Sequence, residues 1–298
     1  MNPGFSVCTV FAAGFLMASV GSVAGQTTAA PGSTSFLHGI DVSINGSAPL
    51  HFGLDTGLSF DFSITPEKAQ QLGLPVTGHH IAHFSDKQEG PGKATDIVRA
   101  TKLTVAGHTF TGSEGVTLAD AHHDGTLGIT LFRDVLLTLD FPHDQLSVSD
   151  GALPIVNGHD VLDYTTNPDA TFGPLRVTPT VAIQLAGQTL PALLDTGARK
   201  LNADVIVPPK LAATLPLSLT GSAMMMDAAG NKYPSYTARL NGDLILGDVV
   251  LHNPTVLISE RLGFVNLARV LNSLEITIDQ RNRRLRITRP SSAPSVTP

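Results

Sequence analysis

The segments His51-Phe-Gly-Leu-Asp-Thr-Gly57 and Pro191-Ala-Leu-Leu-Asp-Thr-Gly197 place the same tripeptide, Asp-Thr-Gly, directly after a short apolar run. A carboxylate in such a position costs free energy unless it is paired, hydrogen-bonded or used in chemistry. One copy would be weak evidence, because Asp and Gly are common turn residues. Two copies in one chain lead to the hypothesis that Asp55 and Asp195 meet in a shared site.

The surroundings of the two tripeptides repeat in the same register. Asp55 and Asp195 are 140 residues apart, and the spacing from each aspartate to its landmarks agrees within one residue. The paired landmarks are Asn45-Gly46 and Ala186-Gly187, Gly107 and Gly247, Asp140 and Asp279, and Leu146 and Leu285. The repeated unit of about 85 residues is much longer than solenoid repeats, which span roughly 20–50 residues. The chain is therefore predicted to contain two copies of one compact lobe, related by a pseudo-two-fold axis.

The boundaries of the lobes follow from this repeat and from loop-forming composition between the copies. We predict an N-terminal lobe at 35–151, a connector at 152–173 and a C-terminal lobe at 174–288. Residues 289–298, rich in Pro and Ser, are predicted to form a disordered tail.

Strand-forming patterns dominate both lobes, as in the run of apolar and β-branched residues at 135–139. Few segments favour a helix. The segment 65–72 has Thr at the N-cap followed by Pro, and 208–215 is its counterpart in the second copy. Further short helices are predicted near 131–134 and 266–271. The predicted fold class is mostly β, with two small pseudo-symmetric β lobes and few short helices.

Composition and the N-terminus limit the class of function. Residues 5–24 form an uncharged apolar stretch ending in small residues, as in a secretory signal, although no Lys or Arg precedes Lys68. We predict a signal peptide at 1–24, with an N-terminal membrane anchor as the alternative, and a periplasmic or secreted location. The only cysteine, Cys8, lies in this leader, so a processed chain would have neither disulfides nor a thiolate metal site. The net charge of −6 and the lack of a basic stripe argue against nucleic acid as a partner.

Two adjacent aspartates would support hydrolysis without a metal or a cofactor, and none is predicted. Two carboxyl groups held about 3 Å apart cannot both ionise, so one keeps a proton while the other acts as a base. Such a pair can activate water and protonate a carbonyl oxygen, and it titrates as a unit. Gly57 and Gly197 would allow the backbone to approach the carboxylates closely. Thr56 and Thr196 would brace the two loops across the axis.

The residues that carry this repeat resemble the retropepsin-like and pepsin-like aspartic proteases. In the first lobe, Gly125-Thr-Leu-Gly128 and the strand at 137–141 are similar to the hydrophobic-Gly motif and closing strand of that family. In the second lobe, Arg261-Leu262-Gly263 and Ile276-Thr-Ile-Asp279 are similar, with a spacing four residues longer. The match looks closest to bacterial retropepsin-like enzymes, here as a single-chain tandem, and covers most of residues 36–288. It implies two closed-barrel β lobes, a dyad between them, two flaps, and endopeptidase activity on peptides or unfolded proteins.

The resemblance also implies roles for individual residues. Asp55 and Asp195 would form the dyad, and Ser59 would donate a hydrogen bond to the outer oxygen of Asp55. The second lobe has Arg199 at the position of Ser59. A guanidinium beside Asp195 would favour the ionised carboxylate. It would either assign Asp195 as the base and Asp55 as the acid, or mark a degraded site.

Three questions stay open at the level of sequence. The segments 79–83 and 122–124 contain several histidines, but their spacing matches no metalloenzyme, and solvated loop histidines are the preferred interpretation. The segments 88–92 and 227–231 look like hairpin tips, which are either mobile covers over a cleft or plain turns. The alternative to a peptidase is a non-catalytic peptide-binding module on the same scaffold, motivated by Arg199. Because one chain carries both halves of the site, a monomer is predicted.

Overall fold

The computed structural model describes residues 32–82, 93–119, 123–166, 178–226, 232–260 and 263–289. The predicted leader and both predicted hairpin tips lie outside these residues, as do most of the tail and part of the connector. No helix in the described part of the chain is long and apolar enough to cross a membrane.

Strands make up most of the described chain, as the sequence predicts. The first lobe and the connector contain β1 (Ser33–Thr34), β2 (Ile40–Ile44), β3 (Leu50–Asp55), β4 (Phe62–Ile64), β5 (Val76–Ala82), β6 (Lys93–Val105), β7 (His108–Thr117), β8 (Gly125–Gly128), β9 (Leu136–Asp140), β10 (Gln145–Ser149) and β11 (Val161–Asp163). The second lobe contains β12 (Thr180–Leu185), β13 (Gln188–Leu194), β14 (Val205–Val207), β15 (Leu217–Met226), β16 (Lys232–Leu240), β17 (Asp243–Leu246), β18 (Val249–His252), β19 (Thr255–Ser259), β20 (Val265–Leu267), β21 (Glu275–Asp279) and β22 (Arg284–Thr288).

The described residues contain two short α-helices, α1 (Pro66–Gln71) and α2 (Pro209–Ala212). Helix α1 begins as predicted, because Thr65 Oγ1 accepts a hydrogen bond from the Lys68 amide at 3.4 Å and Pro66 occupies the first turn. Turns of 3₁₀ helix occupy Ile129–Phe132, Thr196–Lys200 and Arg269–Ser273. The helix predicted near 266–271 therefore begins later than expected, since Asn266 lies in β20.

The first lobe is a closed barrel, as the family resemblance implies. Its strands follow the order β2-β3-β8-β4-β7-β6, and β2 pairs again with β6, with Val42 opposite Val105. Alternate residues point inward, so Phe52 and Phe62 are fully buried inside the ring. Strand β5 extends from the barrel as a hairpin with β6.

The second lobe is a nine-stranded sheet in the order β15-β16-β19-β14-β20-β13-β12-β17-β18, in which two of the strands equivalent to those of the first barrel are interrupted. In the first lobe one continuous strand, β6, pairs with both β5 and β2. In the second lobe its counterpart is divided into β16 and β17 at Asn241-Gly242. The neighbouring strand breaks at the same level, at Asn253-Pro254, because proline has no N–H to donate to a ladder. The two breaks are joined by the Asn253 amide, which donates to Gly242 O at 2.9 Å.

A third sheet joins the lobes in the order β1-β10-β9-β21-β22-β11. Strands β9 and β21, the equivalent strands of the two copies, pair antiparallel, with Thr138 opposite Thr277. The hydroxyls of these two threonines lie 3.0 Å apart. The connector contributes β11 to the edge of this sheet. The two lobes therefore share continuous main-chain hydrogen bonding, which fixes their relative position.

Candidate active site

The two Asp-Thr-Gly segments occupy equivalent places at the ends of strands. Strand β3 ends at Asp55 and pairs in parallel with β8, whereas β13 ends just before Asp195 and pairs in parallel with β20. Each aspartate is therefore at the exit of a central strand and is only partly buried. This is the position that the repeated sequence predicts for both.

The two threonines of these segments hold the loops together across the lobe interface. Thr56 Oγ1 donates to Leu194 O at 2.5 Å and accepts from the Thr196 amide at 3.1 Å. In the reverse direction, Thr196 Oγ1 donates to Leu54 O at 3.3 Å and accepts from the Thr56 amide at 3.0 Å. The exposed fractions of Thr56 and Thr196 are 0% and 3%. Four reciprocal hydrogen bonds in a dry environment fix one loop against the other.

The carboxylates of Asp55 and Asp195 converge on one point. A methyl group built on Gly197 would lie 3.1 Å from Asp195 Oδ1 and 3.4 Å from both side-chain oxygens of Asp55. The glycines also hydrogen-bond the carboxylates, because Gly57 N donates to Asp55 Oδ1 at 2.7 Å and Gly197 N donates to Asp195 Oδ1 at 3.0 Å. Any side chain at Gly197 would therefore crowd the space between the two acids.

Asn266 is a site residue that the sequence interpretation missed. Its Nδ2 donates to Asp195 Oδ2 at 3.1 Å, and the residue is 1% exposed. Its Oδ1 is buried and has no hydrogen-bond partner among the described residues. A buried polar atom left unsatisfied costs about 1–3 kcal/mol. An apolar residue would avoid that cost, so the N–H that reaches Asp195 is the evident contribution of this side chain.

The register of the strands corrects the alignment of the two lobes. Gly53 pairs with Thr126 in the first lobe, and Leu193 pairs with Asn266 in the second, so Thr126 and Asn266 are equivalent. The counterpart of Gly128 is consequently Ala268, and the longer spacing inferred for the motif at 261–263 is not needed. Residues 261 and 262 lie outside the described residues. The signal was present in the sequence, since Gly128 and Ala268 each follow their aspartate by 73 residues.

The replacement of Gly128 by Ala268 is accommodated by the loop that follows each aspartate. A methyl group on Gly128 would lie 1.9 Å from Phe60 O, which the backbone cannot accommodate. In the second lobe the corresponding loop is three residues longer and contains the 3₁₀ turn Thr196–Lys200. That different path gives the Ala268 side chain its space.

Arg199 makes contacts that differ from those expected. The Arg199 guanidinium donates through Nη2 to Leu37 O at 3.1 Å, and it is attracted electrostatically to Asp144. Burial lowers the pKa of Arg199, and Asp144 partly opposes this effect. Ser59 is half-buried in the loop after Asp55, and its expected hydrogen bond to Asp55 stays a prediction. Arg199 thus ties the second loop to the segment that enters β2.

Each loop is supported at its far end by a buried aspartate, a second feature that the sequence interpretation missed. Asp61 accepts from Arg133 and, through Oδ2, from the Glu114 amide at 3.1 Å. Asp204 accepts from Arg269 Nε at 3.0 Å and from the Thr255 amide at 2.8 Å. The main-chain oxygens of the two aspartates also accept from the amides of residues 128 and 268. In both lobes a buried aspartate therefore joins the end of the loop to the end of β8 or β20, the strand that pairs with β3 or β13.

The hairpins β5–β6 and β15–β16 extend from the two lobes. His80 of β5 makes an edge contact with Phe60, with ring centroids 5.1 Å apart, which connects the first hairpin to the loop after Asp55. In the second hairpin, Tyr233 packs on a small apolar cluster that includes Ala198 and Ala268. Each hairpin thus packs, through a residue near its tip-side end, against the loop that follows the aspartate of its own lobe. Whether the tips cover the cleft stays a prediction, since they lie outside the described residues.

The histidines of the described chain make pairwise contacts. His79 Nδ1 lies 2.9 Å from Asp96 Oδ1, and the rings of His51 and His123 stack with centroids 5.6 Å apart. Within the described ranges, no group of three His, Cys, Asp or Glu side chains is arranged to hold a metal ion. The chemistry that the arrangement offers is that of two adjacent carboxyl groups, which can act together as an acid and a base.

The family assignment rests on a match over both lobes. A family model described as an aspartyl protease matches residues 40–131 and 180–274, which together form more than half of the chain. The chain belongs to the aspartyl protease family. The resemblance inferred from the sequence is confirmed, and each matched region of this aspartyl protease family member contains one Asp-Thr-Gly segment. A comparison with curated proteins found no match.

Proposed function

We propose that this protein is an aspartic endopeptidase that hydrolyses peptide bonds with a water molecule activated between Asp55 and Asp195. The observation that carries the proposal is the convergence of both carboxylates on one point at Gly197, held by the reciprocal Thr56 and Thr196 hydrogen bonds. Reacting groups contribute to catalysis when they are held in productive geometry before substrate binds.

The reaction requires one ionised and one protonated carboxyl group. The ionised group accepts a proton from water as the water oxygen attacks the peptide carbonyl carbon, and the protonated group donates to the carbonyl oxygen. In the second step the carbon–nitrogen bond breaks, the proton taken from water is delivered to the leaving nitrogen, and a hydroxyl of the tetrahedral intermediate returns a proton to the carboxyl group that acted as the acid. No covalent intermediate, metal or cofactor enters this scheme.

The proposal extends to the substrate, the oligomeric state and the location of the protein. The hairpins β5–β6 and β15–β16 offer strand edges that an extended peptide or unfolded protein segment could pair with. Because one chain supplies both aspartates, the protein is proposed to act as a monomer. The apolar leader supports a periplasmic or secreted location, with an uncleaved membrane anchor as its alternative.

The proposal is tested by incubating the purified protein with a diverse peptide mixture between about pH 3 and 7, the range over which a carboxyl dyad titrates. Products are identified by mass spectrometry. Asp55→Asn and Asp195→Asn should each abolish cleavage, while Asp41→Asn, at an exposed position of β2, serves as the matched control. Cleavage that survives either dyad substitution refutes the proposal. Peptide binding without cleavage by the intact protein would favour the non-catalytic module.

A further inference from the structure

The two halves of the site differ in the residue type at the strand position beside each aspartate. The glycine amides donate to Oδ1 of Asp55 and of Asp195 in the same way. The second carboxylate oxygen of Asp195, Oδ2, accepts a hydrogen bond from Asn266. At the equivalent strand position the first lobe has Thr126. The pseudo-symmetry of the dyad is broken at this position.

An amide and a hydroxyl differ in what they can do for a carboxyl group. The amide nitrogen of Asn266 only donates, so it suits an ionised carboxylate, whereas a threonine hydroxyl either donates or accepts. Donation to the charged form favours that form. Asn266 is held between β13 and β14 and is 1% exposed. It therefore presents a fixed donor to Asp195 rather than one that solvent can replace.

Among the described residues, the charged groups on the elements around Asp195 are either repulsive to it or directed to other partners or to solvent. Asp55 faces Asp195 from the first lobe and disfavours a second negative charge. Arg199 is directed to Leu37 O and Asp144, Lys200 is exposed to solvent, and Arg269 is paired with Asp204. The guanidinium that the sequence suggested as the source of asymmetry is thus engaged elsewhere, and a neutral amide supplies the asymmetry instead.

We propose that Asn266 is a positioning residue that fixes Asp195 as the ionised member of the dyad and leaves the shared proton on Asp55. This inference rests on the proposed function and assigns its two roles. Asp195 accepts the proton of the attacking water, and Asp55 donates its proton to the carbonyl oxygen. As the carbon–nitrogen bond breaks, Asp195 passes its proton to the leaving nitrogen. At the same time Asp55 recovers a proton from a hydroxyl of the tetrahedral intermediate, which becomes the product carboxyl group, so the dyad returns to its starting protonation state.

A first experiment needs no peptidase activity. The carboxyl carbon of Asp195 is titrated by NMR in the full chain labelled at aspartate, with Asp55→Asn as background and Asp195→Asn to assign the signal. Adding Asn266→Leu should raise the titration midpoint by about one to two pH units, the equivalent of one lost hydrogen bond to a charged group. Asn266→Thr, which copies the first lobe, should give a smaller rise and serves if the leucine variant does not fold. Asn241→Leu, at an exposed position, is the control.

An unchanged midpoint overturns the inference, and so does a lower midpoint. A lower midpoint would mean that the Asn266 oxygen faces Asp195 and accepts from the protonated acid.

A second experiment measures kcat and KM against pH for Asn266→Leu. Loss of the donor should move the acidic limb of the kcat/KM profile to higher pH by about one unit or more and lower kcat, with little change in KM. An acidic limb that stays in place contradicts the inference. If the unmodified protein cleaves nothing, the proposed function fails while the NMR titration still decides the role of Asn266.

Discussion

Replacing Thr56 by valine tests whether the threonine network holds the two lobes together. Valine keeps the shape of the side chain, so the change removes the hydroxyl without leaving a cavity. The variant loses the donation to Leu194 O and the acceptance from the Thr196 amide. Both bonds lie in a region where Thr56 is 0% exposed, so water cannot replace them.

The expected loss can be worked from these two bonds. A buried hydrogen-bonding group left without its partner costs about 1–3 kcal/mol, so the loss of two bonds should lower the free energy of unfolding by about 2–6 kcal/mol. For a protein of this size that loss corresponds to a fall in Tm of about 4–20 °C. Thermal unfolding by circular dichroism and urea unfolding at constant pH would both measure it.

The matched control is Thr104→Val, because Thr104 makes one hydroxyl contact of 3.0 Å with Thr109 at the exposed surface. Its effect should stay within about 0.5 kcal/mol. Thr56→Ser keeps the hydroxyl and should retain most of the stability lost in the valine variant. If Thr56→Val costs no more than Thr104→Val, the network does not stabilise the interface and the reasoning is refuted.

Three further predictions concern the scaffold. Gly128→Ala should destabilise the protein by more than about 3 kcal/mol in urea unfolding, because its methyl would lie 1.9 Å from Phe60 O; a loss similar to that of Ala268→Gly would contradict the close approach. Asp204→Asn should cost about 1–3 kcal/mol, since it weakens the contacts with Arg269 and the Thr255 amide, and an effect no larger than that of the exposed Asp243→Asn would speak against a supporting role. Burial, with a further contribution from Asp279, raises the pKa of Tyr164, so stability is fully present below about pH 10 and declines as the pH rises further; Tyr164→Phe should flatten that decline in unfolding curves, whereas the exposed Tyr236→Phe should not, and equal slopes in all three proteins would disprove it.

Local signals in the sequence were reliable where a residue acts on its own neighbours. The N-cap and proline at the start of α1 predicted that helix because both act within one turn. The dipeptides Asn45-Gly46 and Ala186-Gly187 marked the same register in both copies, and in the structure all four residues adopt positive φ in equivalent turns.

Sequence signals predicted the structure less well where a segment depends on pairing with a strand that is distant in the chain. The apolar run around Asn266 favoured a helix, yet β20 forms because it pairs with β13, more than seventy residues earlier in the chain. The secondary-structure propensity of a segment carries no information about a strand partner that is distant in sequence. For the same reason the two strand breaks of the second lobe were not predicted, although Pro254 lies at one of them.

The sequence by itself determined the repeat, the mostly β lobes and the pair of aspartates, because these depend on spacing and on residue types that recur in both copies. Only the tertiary structure decided which side chains reach the carboxylates. In the structure Arg199 hydrogen-bonds Leu37 O, whereas Asn266 hydrogen-bonds Asp195. The long arginine side chain can reach partners in several directions, so its contact depends on the surrounding fold. The position of the short asparagine side chain is fixed by the register of its strand. The division of labour that we propose for the dyad is therefore a property of strand pairing, which no single stretch of sequence contains.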